Sequence, residues 1–243
     1  MGRIVVGTSG WSYEHWKGPF YAPSLPSGAM LAAYARRFAS VEVNGFFYGL
    51  PQPATVERWR EETPAGFIFA VKASRYLTHM KKLKDPAEPV AKLLAVAAGF
   101  GDKLGPILLQ LPPNWQPNPT RLDEALAAFP EGQRLAVELR DPRWLEDEAV
   151  DRVLRRRGAA LCVYDLAGFH SPWRRTADFG YVRLHGPGRN KYQDRYAPDH
   201  LRAVAAHLCQ WRDEGADAYC YFDNDACGYA GQNALELQAL LDG

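Results

Sequence analysis

The stretch "YVRLHGPGRNKYQDRY", residues 181–196, sets Arg183 and His185 on alternate positions of an apolar run and then passes into a glycine-rich basic loop. In a strand this alternation puts Tyr181, Arg183 and His185 on one face and Val182 and Leu184 on the other. A face covered by helices must be apolar, so the charged face has to look into whatever the sheet encloses. The same division recurs in four other runs. Glu42 and Asn44 oppose Val41 and Val43, while Glu138 and Arg140 oppose Leu135, Val137 and Leu139. Lys72 shares a face with Ile68 and Ala70, and Gln110 shares one with Leu108. In all five the polar residues fall near the C-terminal end of the run.

These five belong to a set of eight β-branched or aliphatic runs, at 3–9, 40–44, 67–73, 106–112, 134–140, 159–165, 181–186 and 218–224. Helical spacing fills most of the intervals, at 28–38, 54–62, 87–100, 121–129 after a Thr120/Asp123 capping pattern, 146–157, 199–213 and 232–241. Regular alternation of strand and helix predicts a parallel sheet. Eight such units in 243 residues predict an α/β fold, a (β/α)8 TIM-like barrel forming one domain over residues 1–243, with a doubly wound sheet as the alternative. The sixth unit breaks the pattern. Gly168, Pro172 and Gly180 interrupt residues 166–180, which predicts a loop in place of the sixth helix. That loop carries Phe169, His170, Trp173, Arg174 and Arg175 and has two readings, a lid over the barrel mouth or a surface loop.

Composition narrows the partners. Lys and Arg number 29 against 28 Asp and Glu, a formal net charge of +1, so no overall field draws the chain to nucleic acid or to an anionic membrane. Any preference for anions must be local. No apolar run approaches the roughly 20 residues of a membrane span, and "MGRIVVGTSGW" has no signal-peptide pattern, so a cytoplasmic location and no membrane partner are expected. Cys162, Cys209, Cys220 and Cys227 form no C-x-x-C pair, which argues against a zinc-thiolate site or a disulfide framework.

Ordered blocks along the whole chain resemble the YecE-like family, catalogued as a domain of unknown function. They are "GTSGWSY" (7–13), "WKGPFY" (16–21), "VEVNGFFY" (41–48), "FIFAVKASRYLTH" (67–79), "LLQLPP" (108–113), "VELRDPRW" (137–144), "YVRLHG" (181–186) and "YFDNDACGYAGQNA" (221–234). The resemblance implies a (β/α)8-type barrel and supplies no activity. Its blocks carry Trp11, Glu42, Asn44, Tyr48, Lys72, His79, Gln110, Glu138, Arg140, Arg183, His185 and Asn224. Gly45 and Phe46 stand where small hydroxyl residues are expected in the family, a departure confined to the second loop.

Barrel enzymes build their sites at the C-terminal strand ends, so the polar set is expected to converge at that mouth. Charges taken from water are costly unless paired or used, which favours a ligand or reaction site over simple ion pairs closing the barrel. Glu42, Glu138, His185 and Lys72 are the catalytic candidates: the carboxylates as general acid or base, His185 as proton-transfer partner, and Lys72 as charge stabiliser or imine-forming amine. The structural alternative for Lys72 is an ion pair with Glu42 or Glu138. Substrate contacts are expected from Trp11, Asn44, Tyr48, His79, Gln110, Arg140, Arg183, Lys191 and Asn224. Arg183 would present its guanidinium fork at the rim, with Gly186 and Gly188 bringing backbone N–H groups close to an anion and Arg189 and Lys191 adding charge. No cofactor is expected. Glu42, Glu138, Asp165, His79 and His185 are metal-ligand types, but no H-x-H or H-E-x-x-H signature is present, and Lys72, Arg140 and Arg183 would repel a divalent cation. Two functions follow: a hydrolase-like enzyme acting on a phosphorylated or other anionic substrate, or a non-catalytic protein binding an anionic small molecule or a nucleic-acid end. Loop aromatics beside Arg174, Arg175, Arg189, Lys191 and Arg195 suit a nucleotide-like ligand or a nucleic-acid end better than a lipid.

Overall fold

The computed structural model describes residues 1–242. The eight expected runs form β1 (Ile4–Thr8), β2 (Ser40–Val43), β3 (Ile68–Lys72), β4 (Leu104–Leu111), β5 (Leu135–Leu139), β6 (Ala160–Leu166), β8 (Phe179–Leu184) and β9 (Asp217–Phe222). The remaining strand, β7 (Phe169–His170), is a two-residue addition. The ladder order is β1-β9-β8-β6-β5-β4-β3-β2, parallel throughout, with β7 antiparallel to the end of β6. Among the described residues, the backbone of β1 meets that of β2 through a bridge between Ser9 and Glu42 and the Gly10 N–H donating to the Glu42 carbonyl at 2.8 Å, so the barrel is nearly closed there. This is the (β/α)8 architecture, and a doubly wound sheet is ruled out because both ends of the strand order meet.

Helices α1 (Met30–Tyr34), α2 (Gly45–Tyr48), α3 (Pro53–Glu61), α4 (Ala87–Ala97), α5 (Pro119–Ala127), α6 (Arg143–Glu146), α7 (Glu148–Arg156), α8 (Pro198–Asp213) and α9 (Tyr229–Asp242) surround the strands. Short α2 and α6 were not visible as periodic patterns. α5 is capped two residues earlier than expected, because Asn118, not Thr120, accepts the Arg121 N–H at 2.9 Å, and Pro119 takes the first helical position. The outward residues of the strands, among them Val41, Val71, Leu109, Val137 and Val182, form one core with helix residues such as Tyr34, Val56, Leu93, Leu154 and Leu208. Inside the barrel a second apolar cluster holds Val5, Ile68, Ala70, Leu108, Ala136, Ala160, Cys162, Phe179, Tyr181, Tyr219 and Tyr221.

Residues 166–180 hold no helix, as expected. Ala167 (φ 53) and Gly168 (φ 83) turn the chain back on β6 to make β7, and the chain then runs down the outside of the barrel. Trp173 stacks on His207 of α8 at 4.2 Å, Arg174 Nε meets Asp151 of α7 at 3.2 Å, and Arg175 meets Glu214 at 3.0 Å. The lid reading is therefore corrected. Trp173, Arg174 and Arg175 are spent on α7 and α8, in the slot of the absent helix, while Phe169 packs on the Tyr164 ring at 5.5 Å. All four cysteines are free: Cys162 and Cys220 are buried, Cys209 half-buried and Cys227 exposed. No helix among the described residues is long and apolar enough to cross a membrane.

Candidate functional site

At the C-terminal mouth the inward polar residues make one network with Arg183 at its centre. Arg183 is fully buried, and its planar fork of donors is used on every nitrogen. Nε donates to Glu42 Oε1 at 3.1 Å and Nη2 to the same oxygen at 2.7 Å. Nη2 also reaches Asp223 Oδ2 at 3.0 Å and Ser9 Oγ at 3.2 Å, while Nη1 donates to Glu138 Oε2 at 2.7 Å. Glu42 receives two more donors, the Tyr181 hydroxyl at 2.6 Å and the Ser9 hydroxyl. Arg140 holds Glu138 through Nε and lies over the Tyr164 ring at 5.1 Å. The register accounts for the convergence: Gln110 pairs with Glu138 across β4 and β5, and Arg183 sits between Tyr164 and Tyr221 across β6, β8 and β9.

His185 is buried above Arg183. Its Nε2 faces guanidinium N–H groups, Arg140 Nη2 at 3.0 Å and Arg183 Nη1 at 3.3 Å. Guanidinium groups only donate, so Nε2 is the accepting nitrogen and Nδ1–H donates to Asp223 Oδ2 at 2.9 Å. Burial opposes ionisation of Glu138, but Arg140 and Arg183 outweigh it and hold its carboxyl well below the usual range. The same contest, with Arg183, His185 and Lys72 against burial, lowers Asp223.

The expected rim geometry of Arg183 is not what the fold provides, because three carboxylates hold its fork below the surface. Gly186 and Gly188 also serve the loop itself. A Cβ at Gly186 would meet the Gln193 carbonyl at 2.1 Å and one at Gly188 the Asp194 carboxylate at 2.1 Å. The Gly186 N–H donates to the Tyr196 hydroxyl at 2.7 Å, so it is already engaged. Arg189 and Lys191 project from this loop into solvent.

Lys72 ends β3 at the mouth and makes no salt bridge among the described residues, contrary to its expected pairing with Glu42 or Glu138. Its Nζ lies 4.3 Å over the Phe47 ring. Burial and the nearby Arg183 pull its amine down to about 8, against the opposing pull of Asp223, Glu138 and Glu42. His79 packs edge-on to Phe47 at 5.1 Å, and burial with Lys72 and Arg75 nearby lowers it to about 4. The amide oxygens of Asn44 and Gln110 are buried without partners, and Arg140 Nη1 is uncommitted among the described residues. The open groups thus lie on the β2 to β5 side of the mouth.

Other candidates stand apart from this centre. Trp11 packs edge-on to Trp59 of α3 at 5.1 Å, and Tyr48 is 84% exposed on α2. Asn224 donates to the Asp194 carbonyl at 2.9 Å and to Asn233 of α9 at 3.1 Å, which ties the loop after β8 to the last helix. Among the described residues no group of three or more His, Cys, Asp or Glu side chains is arranged to hold a metal. Ser9, Tyr181 and Asp223 were missed as site residues. The signal was present: Asp223 continues the inward parity of Tyr219 and Tyr221, and Ser9 that of Val5.

A nearly closed (β/α)8 barrel with an arginine-centred ionic mouth and no sixth helix is the class that fold and site define. The chain belongs to the family described as "Protein of unknown function DUF72", whose model matches residues 5–243. It is 30% identical over 173 residues to the UPF0759 protein YecE of Escherichia coli (strain K12), a match spanning 69% of this chain and 61% of that protein. It is 24% identical over 275 residues to the UPF0759 protein YunF of Bacillus subtilis (strain 168), covering 98% of this chain and 95% of that protein. The crystal structure of a DUF72 family protein from Thermotoga maritima MSB8 is similar with a TM-score of 0.88 at 28% identity, covering 99% of this chain and 100% of that one.

Proposed function

We propose that this protein is a cytoplasmic enzyme that acts on a small hydroxylated anion at the barrel mouth, with Lys72 as the proton-transferring group. The observation that carries this reading is the Lys72 amine itself, lowered to about 8, resting on Phe47 and free of any carboxylate partner. A lysine so placed is deprotonated in a useful fraction near neutral pH and can serve as a general base. Arg140 Nη1 supplies the positive charge for a phosphate or carboxylate, and the unpartnered oxygens of Asn44 and Gln110 suit substrate hydroxyls. Glu42, Glu138, Arg183 and His185 form the fixed platform beneath, because they hold one another, and Asp223 joins them through Oδ2.

A second reading, an anion-binding protein without turnover, is favoured by that same engagement, since both carboxylates first expected to act as acid or base, Glu42 and Glu138, are fully buried and held by arginine. The test is a thermal-shift screen of sugar phosphates and hydroxy acids, followed by proton NMR of each stabilising compound with the protein. An enzyme converts the compound, its rate rises with pH through about 8, and Lys72→Met loses about 10²–10⁴-fold in rate while still binding. A compound that binds and stays unchanged at every pH establishes the second reading instead.

A further inference from the structure

The slot of the missing sixth helix is incompletely filled, and the space left is chemically distinctive. A cavity of about 140 Å³ lies between β6, the 170–173 segment and α8, bordered by Asp165, His170, Ser171, Trp173, His200 and His207. At roughly 30 Å³ per water it has room for about four waters. Asp165 continues the outward parity of Leu161 and Val163, so its carboxylate stands on the face where the other strands present aliphatic side chains to a helix.

That carboxylate is 4% exposed and only half satisfied. Its Oδ1 accepts the His185 backbone N–H at 2.9 Å and the Tyr196 hydroxyl at 2.5 Å. Its Oδ2 is buried with no hydrogen-bond partner. The nearest basic group, His200 Nε2, is 3.6 Å away, beyond hydrogen-bond range, and burial lowers the proton affinity of that imidazole. A buried carboxylate oxygen without a donor is costly, and no side chain around it, Ser171 included, reaches Oδ2 within hydrogen-bond distance. Around Asp165 the pocket is walled by the imidazole rings of His170, His200 and His207, the Trp173 indole and the Tyr164 ring.

We propose that this cavity is a binding site, separate from the barrel mouth, for a small organic cation bearing N–H donors, with Asp165 Oδ2 as its counter-ion. An ammonium or guanidinium group supplies both the missing charge and the missing donor, and the aromatic walls favour a cation over a neutral amide. An inorganic divalent ion is the poorer fit, because these side chains are not arranged as a three-ligand set. Since Asp165 holds the His185 backbone and Tyr196, which in turn holds Gly186, occupancy is linked by three hydrogen bonds to the loop above β8.

The experiment is calorimetric and NMR titration of the full chain with methylguanidinium and methylammonium chloride, against sodium chloride at equal ionic strength. One saturable site is expected, with amide shifts confined to β6, β7, the 185–196 loop and the first turns of α8. Asp165→Asn keeps an acceptor for His185 and Tyr196 and should weaken binding at least tenfold. Ala203→Leu, which fills the cavity from α8 without altering charge, should do the same. Absence of saturable binding, shifts centred on Lys72, or binding indifferent to both substitutions would overturn the proposal. So would zinc binding at this cavity that depends on His170 and His200 in preference to either organic cation.

Discussion

Along β5 the inward side chains read Ala136, Glu138 and Arg140, and along β8 they read Phe179, Tyr181, Arg183 and His185, so one step of two residues carries the interior from apolar to ionic. Below the step, Leu108, Ala136 and Phe179 are held by burial, which is non-directional and accepts any side chain of similar shape. Above it, each charge is tolerable only because of its neighbours: Arg183 answers Glu42, Glu138 and Asp223, and each of them answers Arg183. Tyr181 belongs to both layers, its ring in the apolar cluster and its hydroxyl on Glu42. The difference teaches that the mouth is a mutually dependent unit set on a forgiving plug. Substitutions above and below the step should therefore differ in kind as well as in size.

The largest expected effect breaks the upper layer at its centre. Arg183→Met keeps the length of the side chain but strands three buried carboxylates, and should cost about 3–5 kcal/mol in urea unfolding. Adding Glu42→Gln and Glu138→Gln should recover part of that loss, a coupling that separated substitutions in the apolar layer would not show. Next in size is Leu108→Ala in the lower layer, at about 2–5 kcal/mol, from lost transfer energy and the cavity left behind. Its cost should simply add to that of a distant substitution. Equal and additive losses in both layers would remove the distinction.

A pH series sharpens the same contrast more gently. The folded values of Glu138 and Asp223 lie below the ordinary carboxylate range, so the unfolded chain takes up protons first as the pH falls. Their contribution is complete at neutral pH, and it is lost as the pH drops from the ordinary range through their folded values. Lys72 acts on the alkaline side. With its amine at about 8 in the fold, against about 10.4 in an unfolded chain, stability should rise with pH between those values. Leu108→Ala should shift this whole profile without changing its shape, whereas Glu138→Gln should flatten its acid limb and Lys72→Met its alkaline limb. Unfolding midpoints from pH 3 to 11 measure all three.

Much of this was legible because strand parity is a strong rule. Alternation alone placed Glu42, Lys72, Gln110, Glu138 and Arg183 inside, and the Gly168 and Pro172 interruptions marked the missing helix. What parity cannot give is height and partnership. Arg183 and Lys72 look alike in sequence, each an inward cation near a strand end. Only the three-dimensional register shows that the first is enclosed by carboxylates while the second rests on Phe47. The loop glycines misled for a related reason: "GPG" signals close approach, and the partner proved to be Gln193 and Asp194 of the same loop instead of a ligand. Asp165 was read as a possible metal ligand. Its outward parity already set it apart from the mouth, but its cavity depends on how residues 170–173 cover the slot, a packing outcome with no local pattern.

The smallest expected effect lies where the two layers meet the barrel seam. Ser9 donates to Glu42 and accepts from Arg183, while the backbone bridge from Ser9 to Glu42 stands in for the ladder that β1 and β2 lack. Ser9→Ala removes only the hydroxyl. Glu42 Oε1 keeps both Arg183 donors, so no charge is stranded and the loss should be about 1–3 kcal/mol, the net worth of the two hydrogen bonds removed. The local consequence should exceed the global one. The Gly10 N–H, which crosses the seam to the Glu42 carbonyl, should exchange with solvent faster in Ser9→Ala by more than the loss in overall stability accounts for. If Gly10 protection instead falls only in step with global stability, the seam opens with the whole barrel, and the ionic layer, not the missing ladder, is what keeps β1 against β2.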